Sequence, residues 1–251
     1  MYSWYQNRCF PAAVTLYACT LLFSAKAVSE TPQIAVYQLT GLINQQQTGS
    51  YNKVLSRIQS LGVNFTLQYS PIVRAKHNFN HQLADCIAPS DEDGTIFNFP
   101  TIQSQPFNYA MAYIFTRQDD AIISDLQALK GKKVGVRTGM RFSPEFEQMR
   151  NSGYFEVEPV RDIALNYRKL IAKRIDAFAA YTPDIWNLLN SKELAKLHYD
   201  ASQSMQKHPE RIVCHATLSN QAFIKQFNLA LQQLKQQGEL KQLLGLSYSL
   251  D

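Results

Sequence analysis

Apolar positions along the chain follow two alternating rhythms. Short β-rich runs at Ile34–Leu39, Asn64–Tyr69, Ala84–Ala88, Tyr109–Thr116, Phe155–Pro159, Asp176–Ala180, Ala195–Tyr199 and Arg211–Ala216, with Val134 and Val136 after the turn at Gly131, predict strands. Between them the period lengthens. Val54, Leu55, Ile58 and Leu61 predict a helix over Ser50–Leu61, and Ser70-Pro71 opens a second that ends near Gln82. Ser124 is placed to cap a short helix through Leu129, followed by helices at Ser143, at Asp162–Ala172 and at Thr182-Pro183. Ser219–Gln236 is amphipathic, with Phe223, Phe227, Ala230, Leu231 and Leu234 inward. Residues 89–105, with the acidic turn Asp91-Glu92-Asp93-Gly94, read as irregular.

This order is βαβαβ twice, which predicts an α/β chain of two doubly wound parallel sheets with a cleft between them. No Pro/Gly/Ser-rich linker separates the units, because the connection at 106–120 is itself strand-like. A last strand and helix remain after the second unit is complete. They most simply return to the first, so the chain crosses twice and forms a two-strand hinge.

The first 27 residues stand apart from this pattern. One cation in Met1–Arg8, an apolar run from Phe10 to Phe23 and then Ala25-Lys26-Ala27 predict a secretory signal cleaved after Ala27. The run is too short to span a bilayer, which needs about 20 apolar residues. Cys19 after Ala18 loosely resembles a lipoprotein site, but the apolar region continues past it and Tyr17 is bulky; lipidation is the lesser alternative to simple export. Cleavage takes Arg8 and Lys26 away, so the net charge of +5 falls to +3, and no basic block suggests nucleic acid. It also leaves two cysteines, Cys86 and Cys214. In an oxidising compartment they form either one long-range disulfide or two buried thiols.

The stretch Leu129–Phe146 is the best candidate for a binding corner. A strand breaks at Gly139, and Ser143-Pro144-Glu145 then starts a helix whose orphan N–H groups face the loop 137–142. With Arg137, Thr138 and Arg141 around it, such a corner suits a carboxylate or another small anion. An ordinary βα turn accounts for the same residues. Other chemistry has less support. His77 and His81 share a helix face but lack a third metal ligand, and His198, His208 and His215 have no ligand spacing. There is no Gly-x-Ser-x-Gly elbow, and Gly135 and Gly139 lack the Lys-Ser/Thr of a phosphate loop. No cofactor is expected.

Several segments, in order, carry a resemblance. Ala84-Asp85, Pro106-Phe107, Leu129-Lys-Gly-Lys-Lys-Val-Gly-Val-Arg-Thr-Gly139, Ile175-Asp176-Ala177 and a terminal helix with Gly238 and Leu240 resemble the family 3 extracellular solute-binding proteins of ABC transporters. Pro71-x-x-Arg74-Ala75 looks like a motif of that family's divergent members. The resemblance implies a periplasmic-binding-protein-like type II fold of two doubly wound lobes. Residues 28–113 and 207–251 would form lobe 1 and residues 114–206 lobe 2. It implies a monomer that captures a small ligand, polar or anionic, for an ABC-transporter membrane subunit or a sensor, and that is not an enzyme.

The family's amino-acid binders hold the α-carboxylate with an Arg and a helix start, and the α-amino group with an Asp. Here Phe97 falls near the Arg position, Met140 replaces the Thr after Gly139, and Tyr181 replaces the Asp. These departures make an ordinary α-amino acid a poor expectation. Arg137 or Arg141 could supply the lost cation, and Tyr181 and Phe97 could stack on a ring or a sugar. Tyr37, Gln38 and Ser90 are placed at the carboxyl ends of strands by topology. Asp184 is better explained as a first-turn helix acid. The family's crossover puts Cys86 and Cys214 on neighbouring strands of lobe 1. Two other readings remain: a periplasmic lyase or dehydratase, which would need a paired acid and base in the cleft, and a degenerate lobe pair that binds a protein partner.

Overall fold

The computed structural model describes residues 1–2, 31–39, 41–90 and 97–250. The signal segment from residue 3 onward, including Cys19 and Ala27, and the acidic turn at 91–94 lie outside the described residues. Among the described residues no helix is long and apolar enough to cross a membrane.

The first half-unit runs β1 (Gln33–Tyr37), α1 (Ser50–Ser60), β2 (Thr66–Ser70), α2 (Ile72–Asn80), β3 (Cys86–Ser90) and β4 (Thr101–Gln103). A ten-residue strand β5 (Asn108–Arg117) leads to the second lobe, which begins with a 3-10 turn at Leu126–Leu129. Its elements are β6 (Lys133–Arg137), α3 (Pro144–Asn151), β7 (Glu156–Val160), α4 (Ile163–Ile171), β8 (Ala177–Tyr181), α5 (Thr182–Trp186), α6 (Ser191–Leu194) and β9 (Leu197–His198). The chain returns through β10 (Gln206–His215) to α7 (Leu218–Gln236), α8 (Glu239–Leu244) and a 3-10 turn at Gly245–Ser247.

The strands follow the order β2-β1-β3-β10-β5-β8-β6-β7. Parallel pairs lie at each end: β1 beside β2 and β3, and β6 beside β7 and β8. The centre is antiparallel. β10 pairs with β3 and β4 through Arg211–His215 and with β5 through Gln206–Glu210, so this one strand belongs to both lobes. β5 does the same in the other direction, running on to pair with β8 through Ala112–Phe115. These two strands are the hinge.

Packing divides where the hinge does. Ile34, Val36, Leu55, Ile58, Phe107, Ile212, Phe227 and Leu234 share one core. In the second lobe, Val134, Phe146 and Ala177 pack on one sheet face and Phe115, Leu170, Phe178 and Ile185 on the other. Each fully buried Phe, Leu or Ile contributes about 1.5–3 kcal/mol, so each lobe has a core of its own, to which the hinge strands add Ile212 on one side and Phe115 on the other. Cys86 and Cys214 lie directly opposite each other on β3 and β10, wholly buried, with their sulfurs joined.

Several local expectations need correction. Ser70 ends β2 and does not cap α2, whose N-cap is Pro71 with no side-chain bond. The cap of the 3-10 turn is Asp125, which accepts from the Gln127 N–H, and not Ser124. Within the irregular span, Thr101–Gln103 forms β4 because β10 offers it an edge. β10 itself starts five residues before the expected Arg211. Its first half, Gln206-Lys-His-Pro-Glu210, is polar and contains a Pro, and so it carries no strand pattern.

Candidate functional site

The carboxyl ends of β1, β3, β6 and β8 face one another across the hinge. Between them lies a cavity of about 460 Å³, a size suited to a metabolite. The first lobe supplies Tyr37 after β1, Ser90 and Pro89 at the end of β3, and Ile72 and Lys76 from the first turns of α2. The second supplies Arg137 at the end of β6, Met140, Arg141 and Phe142 from the following loop, Tyr181 at the end of β8, and Pro183 and Asp184 at the start of α5. The hinge strand adds Gln206, His208 and Glu210, whose alternate spacing puts them on one face of β10.

A larger hollow of about 780 Å³ runs along α7 on the first lobe. Its lining of Ile102, Tyr109, Ile224 and Leu229 carries amides and two lysines but no acid. The interlobe cavity is the stronger candidate because charges of both signs converge there from both lobes.

Of the residues expected from the sequence, Tyr37, Ser90, Arg137, Met140, Arg141 and Tyr181 line this cavity. Gln38, Phe97 and Thr138 do not. Gln38 follows Tyr37 and points to solvent. Phe97 packs edge-on against Phe79 and stacks on Phe99 beside His215, in a separate aromatic cluster of the first lobe. Thr138 is exposed, and its N–H is spent on the Val160 carbonyl.

The binding corner is built differently from its expectation. Ser143 does cap α3, accepting from the Phe146 N–H at 3.3 Å. The Phe142 N–H, however, donates to Glu147 at 3.0 Å, and Glu147 in turn lies 3.4 Å from the Arg150 guanidinium. The protein thus fills part of the anion position at this helix start with its own carboxylate. What the corner still offers the cavity is Arg141, with its backbone carbonyl accepting from the Tyr181 hydroxyl at 3.0 Å. Tyr181 is held by that bond and by stacking on Phe142 at a ring separation of 5.4 Å.

Three charged groups in the cavity were not anticipated. Asp184 stands 3.8 Å from Arg137; burial raises its carboxyl above the ordinary range, and the guanidinium partly opposes this. Lys76 lines the cavity from the first lobe. Glu210 is 8 % exposed and accepts from the Tyr51 hydroxyl of α1, and burial pushes its carboxyl up to about 8. The signal for Glu210 was hidden, since an acid beside Pro209 in a polar run reads as a loop.

The lobes also touch behind the cavity. Asn187, just past α5, donates to the Ser247 hydroxyl at 3.1 Å, and its side chain closes on Gly41. Asn108 of β5 continues this network, donating to Tyr51 at 3.1 Å and to the Ser247 carbonyl at 2.7 Å.

No family model and no curated protein matches the sequence. Solved structures do match the fold. The probable amino-acid ABC transporter extracellular-binding protein of Bacillus subtilis superposes with a TM-score of 0.66 at 16 % identity, over 86 % of this chain and 96 % of that one. The second substrate-binding domain of a putative amino-acid ABC transporter from Streptococcus pneumoniae gives 0.62 at 21 %, over 87 % and 100 %. The GluR0 ligand-binding core of Nostoc punctiforme, in complex with L-glutamate, gives 0.62 at 17 %, over 86 % and 99 %. The chain therefore has the type II periplasmic-binding-protein fold, two α/β lobes on a two-strand hinge, shared with solute-binding proteins of amino-acid ABC transporters.

Proposed function

We propose that this chain is an exported, monomeric solute-binding protein, a divergent member of the family 3 group, that closes its lobes on a small polar or anionic ligand. It would deliver that ligand to an ABC transporter or report it to a sensor, and it would act without cofactor or catalysis. The observation that carries this reading is the interlobe cavity itself, with Lys76 reaching it from one lobe and Arg137 and Arg141 from the other. A ligand held by cations of both lobes stabilises the closed form. Tyr37 and Ser90 would contact it from the first lobe and Met140 and Tyr181 from the second.

Thermal shift against a metabolite library tests the proposal. A ligand that binds the folded form raises the melting temperature by mass action, and the absence of any shift across polar and anionic metabolites sinks the reading.

A second reading has one observation in its favour. His208 and Glu210, two residues apart on one face of β10, bring an acid and a base into the same cavity. Turnover of a hydroxy acid by the purified protein would establish a lyase or dehydratase instead.

A further inference from the structure

We infer that Glu210 is the specificity determinant of the interlobe cavity: it meets the ligand with a carboxyl hydrogen, so the site accepts an oxyanion there and refuses an ammonium. This rests on the cavity being a ligand site. Geometry places the carboxyl group at the cavity wall. Tyr51 accepts a hydrogen bond from the Asn108 amide and so has its single proton to give to Oε2 of Glu210. That fixes the carboxyl group against α1 and the hinge. No hydrogen bond reaches Oε1 among the described residues, and Glu210 lines the cavity.

A negative charge at this place would have to be held by a nearby cation, and no ion pair to Glu210 is formed among the described residues. Arg137 of β6 is engaged with Asp184 of α5. Lys76 of α2, Arg141 after β6 and His208 of β10 line the cavity, as do the hydroxyls of Tyr37 and Tyr181. Burial pushes the Glu210 carboxyl up to about 8, which favours its protonated form near neutral pH. A neutral carboxyl donates readily to a carboxylate or phosphate oxygen, which also suits the flanking cations. To an ammonium it offers only a weak acceptor.

The test uses the full-length mature protein, wild type and Glu210→Gln, with succinate, glycerol 3-phosphate and putrescine as probes in thermal-shift titrations near pH 6.5 and pH 9.5. Gln mimics the protonated acid: its oxygen can accept from Tyr51 while its amide donates to the cavity. His208 is present in both proteins and cancels from the comparison.

The inference expects a shift from one of the two oxyanions and none from putrescine. It also expects about tenfold weaker apparent affinity at the higher pH in wild type but not in Glu210→Gln. Either oxyanion supports it, and the pair separates a carboxylate site from a phosphate site. Stabilisation by putrescine, or an oxyanion affinity in wild type indifferent to pH, overturns it.

If no probe shifts either protein, these probes do not fit the cavity and infrared spectroscopy of the ligand-free protein decides. A protonated-carboxyl absorption near pH 6.5 that Glu210→Gln lacks supports the inference. Its absence from wild type overturns it.

Discussion

The guanidinium of Arg137 stands 3.8 Å from the carboxylate of Asp184, the two meeting where β6 and α5 open onto the cavity. Arg137 is thus partly committed within its own lobe, whereas Arg141 enters no ion pair among the described residues. The two arginines should then respond differently to mutation. We expect Arg141→Ala to weaken an anionic ligand about 10- to 100-fold, the loss of one charge-assisted hydrogen bond, with little change in folding stability. Arg137→Ala should cost about 1–3 kcal/mol of stability, because it strips the buried Asp184 of its partner, and should affect affinity less. Calorimetry of a ligand found by thermal shift, beside urea unfolding of each variant, separates the two. Unchanged affinity in Arg141→Ala would contradict the assignment.

Glu210 sets a pH dependence that can be read without any ligand. Its folded carboxyl titrates near pH 8 and its ordinary value is 4.5, so between these pH values the folded chain holds a proton that the unfolded chain has released. Stability that is fully present below about pH 4.5 is lost as pH rises toward 8. The limit of that loss, at 1.36 kcal/mol for each pH unit of displacement, is on the order of 4–5 kcal/mol. Urea unfolding of wild type near pH 5.5 and pH 8.5 should show this decline, and Glu210→Gln should flatten it. A variant with the same slope as wild type would mean that other groups carry it.

The fold was legible because apolar periodicity changes from 2 to 3.6 at nearly every element boundary, as from Phe155–Pro159 into Asp162–Ala172. Caps written into the local sequence were legible too: Ser143 and Asp162 both accept from the helix they start. What failed was set by partners distant in sequence. Thr101–Gln103 becomes a strand only because β10 passes beside it, and the polar half of β10 only because β5 does. Residues at strand ends were placed by topology, which brought Tyr37 and Ser90 to the cavity. Lys76, His208 and Glu210 had no such marker. Phe97 went astray because its place was inferred from a family position, while its ring had a better partner in Phe79.

The pairing of Cys86 with Cys214 bridges a sequence separation of 128 residues, with both ends buried in the first lobe. In the chain-entropy model a loop of this length stabilises the fold by about 4–5 kcal/mol, and measured values more often fall at about 2–4 kcal/mol. Thiol titration of unfolded, unreduced mature protein should find no free thiol. The double variant Cys86→Ala, Cys214→Ala should unfold at lower urea yet bind ligand as wild type does, because the bond ties β10 to β3 inside the first lobe and lies beyond the Gln206–Glu210 half that pairs with β5 and lines the cavity. Two titratable thiols per chain would show instead that the cysteines are buried and reduced.

Gly41 and Asn187 give the most direct test of how the lobes meet. Gly41 has φ +71°, and a Cβ placed there would lie 2.1 Å from the Asn187 Cβ. Gly41→Ala therefore suffers two separate penalties: about 1–2 kcal/mol for a left-handed conformation with a side chain, and a steric clash across the lobe interface. The first is local and the second belongs to the pair. Gly41→Ala should lower the unfolding free energy by about 2–4 kcal/mol and raise the radius of gyration in small-angle scattering, as the lobes part. In an Asn187→Gly background the same substitution should cost only the conformational part, leaving a coupling of about 1–2 kcal/mol in the double-mutant cycle. Equal losses in both backgrounds, with no change in scattering, would mean that Gly41 and Asn187 do not touch in solution and that the lobes rest further apart.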